Sequence, residues 1–413
     1  MPAKVCMLLH EFYPNDIRVS KEAKALLSEG FEIHLICLKR KDEPESAVVE
    51  GIQVHRIAMA QTFFWRGIWD IVLAFNFFQS RFFKKAAQLH QQLSFDVVHV
   101  HDLPLSKTAL RLRKRFPDLK VVLDLHENYP EALRVWYQWK KNPLIRLKNR
   151  IFFGFDRWLL YEKSVVKQAD LVIVVVDEMK ERVAELHQLD KSRICVVTNS
   201  ESLDFMDQEK IPDIYERDSD TFLLAYTGGV GPHRGVDAAI KALAYLKHRP
   251  GVRLEITGSL SKASRDWLEG LIAQEEVGDQ VRINGYQPFH RFFSYMYYAD
   301  VNLIPHNRNG HTDNTVPHKL YQGMMVGKPV LVSDAPPLKR IVNELDSGLV
   351  FKGGDPKDLA AQIDKLIEQP ELAKRLGVNG SHKTLKDIHN WEHTGKGLAQ
   401  RYQQLLAKDP QRP

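Results

Sequence analysis

The sequence predicts an α/β protein built from two doubly wound, mostly parallel sheets that follow one another along the chain. Three observations carry that prediction. Short runs of Val, Ile and Leu recur at regular intervals, as strands buried on both faces of a parallel sheet require. Helix-length polar–apolar segments separate them, as βαβ crossovers do. The chain has 413 residues, more than one comfortable core holds, so two domains are expected. An apolar fraction of 44% and a charged fraction of 27% are those of a globular protein rather than a disordered one.

Taken in order, residues 5–10 (VCMLLH) form the first strand, and residues 16–29 show helical spacing that stops at Gly30. Strands follow at 31–39 (FEIHLICLK), 52–59 (IQVHRIAM), 96–101 (DVVHVH), 120–126 (KVVLDLH), 170–176 (DLVIVVV) and 194–199 (ICVVTN). Residues 200–220 are acidic and without period, which predicts an interdomain linker. A second series then runs through 222–227 (FLLAYT), 253–258 (RLEITG), 281–285 (VRING), 300–305 (DVNLIP), 329–334 (PVLVSD) and 348–351 (GLVF). The expected organisation is a first domain over 1–199, a linker over 200–220, and a second domain over 221–390. A last helix within 391–413 is expected to pack back across the junction.

Composition excludes several classes. No run of 18 apolar residues occurs, so no membrane-spanning helix is predicted. The start runs straight into a strand without a signal-peptide pattern. Cys6, Cys37 and Cys195 are far apart in sequence and suit buried thiols in a reducing compartment, so a cytoplasmic protein is expected. The net charge of +6 is mild, but basic and aromatic residues crowd together in 62–85 and 134–158. Helices that bury their rings would explain this, and so would a surface that meets anionic membrane. Nucleic acid is not expected as a partner, because no helix-turn-helix, zinc or ribonucleoprotein pattern accompanies the charge.

In open parallel sheets, ligands bind beyond the carboxyl ends of the strands. Those ends fall at His10, His101, His126, Thr227, Gly258, Gly285, Pro305 and Asp334. Two such sheets would be expected to take a ligand in the cleft between domains. Residues 225–237 (AYTGGVGPHRGVD) join a strand to a helix through a Gly-rich turn. Gly229 and Gly231 fit a dinucleotide fingerprint, but Arg234 stands in place of its third glycine and the next strand ends without an acid. A phosphate clamp made of backbone N–H groups, His233 and Arg234 is left, beside the plainer reading of a solvent-facing arginine.

His99 and His101 share one face of a strand, yet no further ligand follows at zinc spacing, and Pro130 interrupts the second histidine motif. These histidines are expected to hydrogen-bond at the mouth of the sheet, without a metal. Residues 314–334 (NTVPHKLYQGMMVGKPVLVSD) predict a helix capped by Asn314 or Thr315, with Pro317 in its first turn and Gly327 at its end. Its start carries His318 and Lys319 rather than acid, which suits a bound anion.

Taken together, 229–235 (GVGPHRG), 281–305 and 314–334, with 13–37, 95–104, 121–131 and 168–179 in the first half, resemble glycosyltransferase family 4. That resemblance implies a retaining enzyme of the GT-B fold that uses a nucleotide-diphosphate sugar without a metal or other cofactor. It implies that Arg234 binds the diphosphate beside the Gly229–Gly231 turn, and that Gly285 and Tyr286 receive the base. It places His101 and His126 against the donor sugar. The family usually has an arginine where Gly229 stands, and two glutamates where Asn314 and Gln322 stand. The first glutamate touches the sugar and the second the ribose. A branch with N-x-x-P-x-K-L at this helix looks similar, with Thr315 in the same donor site. Arg18, His318 and Lys319 are candidates to supply the missing cation. The implied acceptor is a glycan or lipid-linked molecule of surface polysaccharide synthesis, met at the cytoplasmic face of an anionic membrane. A sugar-nucleotide 2-epimerase or a non-catalytic nucleotide-sugar-binding subunit would share the architecture.

Overall fold

The computed structural model describes residues 2–58, 63–137, 142–212, 214–216, 218 and 220–407. Parts of the two aromatic–basic segments, Thr62 and residues 138–141, lie outside the described residues, as do 59–61 at the end of an expected strand. Two compact units divide the chain. The first runs to Thr198 and takes up the chain again from Glu392, and the second spans Asn199–Trp391.

The first unit holds an eight-stranded sheet: β1 (Lys4–Phe12), β2 (Glu32–Lys39), β3 (Ser46–Val49), β4 (Ile52–Ala58), β5 (Val97–His101), β6 (Lys120–Leu125), β7 (Leu171–Val174) and β8 (Ile194–Val196). Their order is β3-β4-β2-β1-β5-β6-β7-β8, and every pairing is parallel except that of β3 with β4. β3 is the strand the sequence did not announce; it has four residues on the sheet edge and no continuous apolar run. The inner strands are buried on both faces, with β5 buried at all five positions. This is why they read as unbroken Val/Ile/Leu runs. β2 and β5 leave β1 in opposite directions, so a crevice opens beyond the carboxyl ends of β1 and β5.

The second unit holds a six-stranded, wholly parallel sheet: β9 (Phe222–Thr227), β10 (Val252–Thr257), β11 (Val281–Gly285), β12 (Val301–Ile304), β13 (Val330–Ser333) and β14 (Gly348–Phe351). The order β11-β10-β9-β12-β13-β14 puts its switch point between β9 and β12. Leu224, Ile240, Leu254, Ile256, Val301 and Leu331 belong to one continuous core under this sheet. Each such side chain stabilises the fold by about 1.5–3 kcal/mol relative to exposure.

Residues 200–220 are more than a spacer. Phe205 is buried against Phe293, Met296 and Met325, and the buried Tyr215 donates its hydroxyl to the Tyr295 carbonyl at 2.5 Å. The segment straps onto the second unit, held by apolar residues that its acidic composition masks. The last helix, Trp391–Ala407, packs on the first unit: Tyr402 meets Phe31 edge-on at 5.8 Å, and Arg401 donates to the Ser192 carbonyl at 2.6 Å. Among the described residues no helix is long and apolar enough to cross a membrane.

Candidate active site

At the first unit's switch point, four elements bring a buried polar cluster together. The helix Ile17–Ser28 is capped by Asp16, whose side chain accepts from the Val19 N–H. One turn of that helix separates Arg18 from Glu22, which places both on its buried face. β5 contributes His99 and His101, with stacked rings 4.2 Å apart, and the β5–β6 register sets His101 opposite Asp124. Asp124 is the hub. Arg18 donates to both its oxygens at 2.8 and 3.1 Å; His126 Nε2 lies 2.7 Å away and His101 Nδ1 3.3 Å.

Charge explains the geometry. Burial alone would raise the Asp124 carboxyl, but Arg18 and His126 hold it well below the usual carboxylate range. Burial disfavours the His126 cation, yet Asp102 and Asp124 push it up to about 10. Glu22 is pushed up to about 8 by burial, against Arg18 and with Asp124. Burial lowers His99, and lowers His101 further with His99 beside it. These shifts favour the charged forms of Arg18, His126 and Asp124, the protonated form of Glu22 and neutral imidazoles at His99 and His101. His101 Nε2 is buried without a hydrogen-bond partner, so this nitrogen can accept a proton or a hydroxyl hydrogen bond.

Two expectations change here. Arg18 was a candidate for the missing donor cation, but its guanidinium is committed to Asp124, Glu22 and the Val197 carbonyl. It is the counter-ion of this cluster, and that also explains a cation in the first turn of a helix. In addition, Glu22, His99, His101 and Asp124 place four ligand-type atoms within 4.8 Å of one another, which sequence spacing did not show. Arg18 and His126 lie against the same Asp124 carboxylate and supply positive charge there. Tyr402, from the C-terminal helix, closes the cluster with a 2.6 Å hydrogen bond to His99 Nδ1.

The second unit's switch point carries the opposite balance. Beyond β9 and β12 lie Tyr226, the Gly228–Gly231 turn, His233, Arg234, His306, His311 and Lys319. Tyr226 pins the turn by donating to the Gly229 carbonyl at 2.7 Å. Lys319 is 9% exposed, and its Nζ sits 3.7 Å above the Tyr226 ring with no hydrogen-bond partner. Arg234 Nη1 faces His306 Nε2 at 3.3 Å, and the rings of His233 and His311 meet edge-on at 5.6 Å. Burial and then Arg234 hold Lys319 well below the usual ammonium range. The same causes bring His233 down to about 3 and His311 to about 4, and keep His306 well below its ordinary value. No carboxylate pairs with Arg234 or Lys319 among the described residues. A buried cation without a counter-ion is costly, so Lys319, with the half-buried Arg234 beside it, favours an anion in this pocket.

Backbone explains which glycines matter. Gly235 has φ +69°, and a Cβ there would stand 1.7 Å from the Pro305 carbonyl oxygen; at Gly258, φ +151°, it would stand 2.0 Å from that of Gly228. Gly229 and Gly231, which the fingerprint singled out, have room for a Cβ beyond 3 Å. The close approaches that bring β9, β12 and the turn together rest on Gly235 and Gly258.

The helix holding Lys319 runs His318–Met325 and begins after Pro317, with no side-chain cap. Neither expected cap serves it. Thr315 is extended at φ −147°, and Asn314 ends a 3-10 turn, where its Nδ2 donates to the Gly310 carbonyl at 2.9 Å. Pro317 at the boundary forces the preceding residues out of helical conformation. Gly327 does follow the helix end, at φ +74°. His318 is half-buried at the first helical position. Gln322 is buried and donates to Glu201 Oε2 at 2.7 Å. The carboxylate lacking on the helix is thus present beside it, brought by a segment that sequence reading took for linker. Gly285 ends the edge strand β11 at φ +68°, and Tyr286 beyond it is 75% exposed. Asp124 and Glu22 were missed, although an acid inside the apolar strand KVVLDL is a visible signal; Glu201, between two serines, gives none.

Comparison with known proteins agrees with this division. Residues 18–203 match the family described as Glycosyltransferase Family 4, and residues 207–383 match Glycosyl transferases group 1. A D-inositol 3-phosphate glycosyltransferase of Frankia alni is 23% identical, over 77% of this chain and 76% of its own. Sucrose-phosphate synthase from Thermosynechococcus elongatus superposes with a TM-score of 0.78 at 19% identity, over 98% of this chain and 100% of that one. Anabaena HepE in complex with UDP-glucose gives 0.68 at 13%, over 97% and 99%. The fold is that of the GT-B structures.

Proposed function

We propose that the chain, whose residues 18–203 match Glycosyltransferase Family 4 and 207–383 match Glycosyl transferases group 1, is a glycosyltransferase that moves a sugar, with retention, from a nucleotide-diphosphate sugar to a glycan or lipid-linked acceptor. The supporting observation is the pocket at the β9–β12 switch point, where Arg234 and the unpartnered Lys319 lack an anion. A diphosphate meets that need, and Anabaena HepE, a protein of the same fold, has been solved in complex with UDP-glucose, a compound of that class. Tyr286 stands two strands from the phosphate pocket, roughly 10 Å along the sheet, within the reach of a nucleotide base.

In the proposed reaction the bond from the anomeric carbon to the diphosphate breaks first. Negative charge grows on the leaving oxygen, and Arg234, Lys319 and the turn's N–H groups are placed to stabilise it. The acceptor hydroxyl bonds to the same face of the carbon, and its proton passes to the departing phosphate. His101, through Nε2, and His126 keep the sugar-facing role. Asn314 can hydrogen-bond a hydroxyl but supplies no charge to a developing cation. Gln322, oriented by Glu201, and Thr315 and His318 complete the donor set. No step draws on a metal. On this reading the reaction takes place at the cytoplasmic face of an anionic membrane, in surface polysaccharide synthesis, and the basic–aromatic segments support the membrane part of it.

The test is a panel of UDP-, GDP- and dTDP-sugars with and without membrane extract. Nucleoside diphosphate released only with acceptor is the expected result. Isomerised sugar nucleotide without release would mean a 2-epimerase, and binding without either would mean a non-catalytic subunit.

A further inference from the structure

A second basic site lies on the first unit, apart from the Asp124 cluster. A cavity of about 1000 Å³ runs along the helices Ser106–Arg115 and Phe155–Val166 and is lined by Lys107, Arg111, Arg113, Lys114 and Arg157, with no carboxylate in its wall. Its floor is aromatic: Phe77 stacks on Tyr161 at 3.8 Å, and the Arg157 guanidinium lies 4.8 Å from the Phe77 ring.

These cations are held in place without being neutralised. Lys107 Nζ donates to the Asn76 carbonyl at 2.9 Å, Arg157 donates to the carbonyls of Ala74 and Phe75, and Arg111 rests over the Phe78 ring at 4.1 Å. Only Arg113 has a carboxylate, Asp170 at 3.2 Å, among the described residues. Burial, and then Arg111, lower Lys107 below the usual ammonium range. A carbonyl or a ring orients a cation but leaves its charge, so an anion is the missing partner.

The rim adds a second property. Val72 and Phe75 on the helix Phe63–Asn76, and Leu160 beside the cavity, are 53%, 70% and 68% exposed. On the helix Pro143–Phe152, which packs against the helix Phe63–Asn76, Leu144, Leu147 and Ile151 sit three and four positions apart and are 75%, 57% and 54% exposed, with Arg146 and Arg150 between them. The two aromatic–basic segments, distant in sequence, meet here through Arg157 and through the 5.0 Å contact of Phe77 with Trp158. Exposed leucines at helical spacing beside uncompensated cations form an interfacial surface rather than an ordinary solvated one.

We propose that this basic cavity seats the phosphate headgroups of anionic membrane lipids, while the exposed faces of the helices around Phe75, Leu147 and Leu160 enter the interfacial layer of the bilayer. The proposal deepens the membrane part of the preceding reading and does not depend on sugar transfer. Charge complementarity selects a phosphate, and the apolar rim selects one carried by lipid.

The full chain is to be floated with phosphatidylcholine vesicles, with and without phosphatidylglycerol, at physiological ionic strength. Flotation with the anionic vesicles alone is expected. Arg111 and Lys114 are exposed, so Arg111→Gln with Lys114→Gln leaves the fold intact. At roughly fivefold per basic side chain, the double variant should bind anionic vesicles about thirtyfold more weakly, with UDP affinity unchanged. Equal flotation of wild type and double variant, or none with either vesicle, would overturn the proposal. Displacement by inorganic phosphate at constant ionic strength would also overturn it, by assigning the cavity to a free phosphate. UDP binding measured on the same preparation separates this proposal from the transferase reading, since either can fail alone.

Discussion

Lys319 concentrates the problem of the donor pocket in one atom. Its Nζ lies over the Tyr226 ring with Arg234 nearby and, among the described residues, no hydrogen-bond partner. Such a group lowers the stability of the empty protein and raises its affinity for an anion. Lys319→Met should therefore raise the thermal midpoint, by about 1–3 kcal/mol of stability, and weaken UDP binding at least about tenfold. Melting curves and titration read the two signs separately, and a loss of both would mean a merely structural lysine. Gln322 makes a subtler case. Restoring the family's glutamate by Gln322→Glu would set two buried carboxylates about 2.7 Å apart, against Glu201. We expect a loss of about 2–3 kcal/mol, recovered by adding Glu201→Gln; denaturant unfolding of the single and double variants checks it. In the first unit, burial raises Glu22 from near 4.5 to about 8. A raised folded value gives stability that is present at low pH and lost as pH rises through 8. Glu22→Gln should abolish that loss, so its melting midpoint should gain on wild type between pH 5 and about 8 and hold the gain above.

At the scale of elements, strand ends decide the chemistry. β5 and β6 supply His101 and Asp124 because their register pairs those residues, and β9 and β12 converge because Gly235 permits it. Gly235→Ala combines a left-handed backbone with a Cβ 1.7 Å from the Pro305 oxygen, and should cost at least about 2 kcal/mol. Gly231→Ala, where the nearest atom is the His233 ring at 3.3 Å, should stay within about 0.5 kcal/mol. Urea unfolding of the pair distinguishes a close-packing glycine from a fingerprint glycine. The helix His318–Met325 shows what local rules miss. Its end at Gly327 follows from backbone conformation and was legible, whereas its start is set by Pro317 and by the Asn199 amide, which donates to the Val316 carbonyl at 2.9 Å from more than a hundred residues away.

For the whole molecule, alternation of apolar runs and helical segments was enough to read both sheets, because buried parallel strands write themselves as unbroken Val/Ile/Leu. Among the described strands only β3, short and on an edge, escaped. The candidate site was legible in part. Arg234 and Lys319 stand out as cations at helix starts, but the commitment of Arg18 to Asp124 and the return of Glu201 to Gln322 are long-range pairings that no local pattern carries. Among these features the cationic pocket beyond β9 and β12 carries the functional reading. Its direct test is a calorimetric titration of UDP, in the presence of EDTA, into wild type and Arg234→Ala. Binding by wild type and a dissociation constant at least about tenfold higher in the variant, for a charged hydrogen bond of about 1.5–3 kcal/mol, are predicted; equal affinity in the two proteins, or none in wild type, would contradict it.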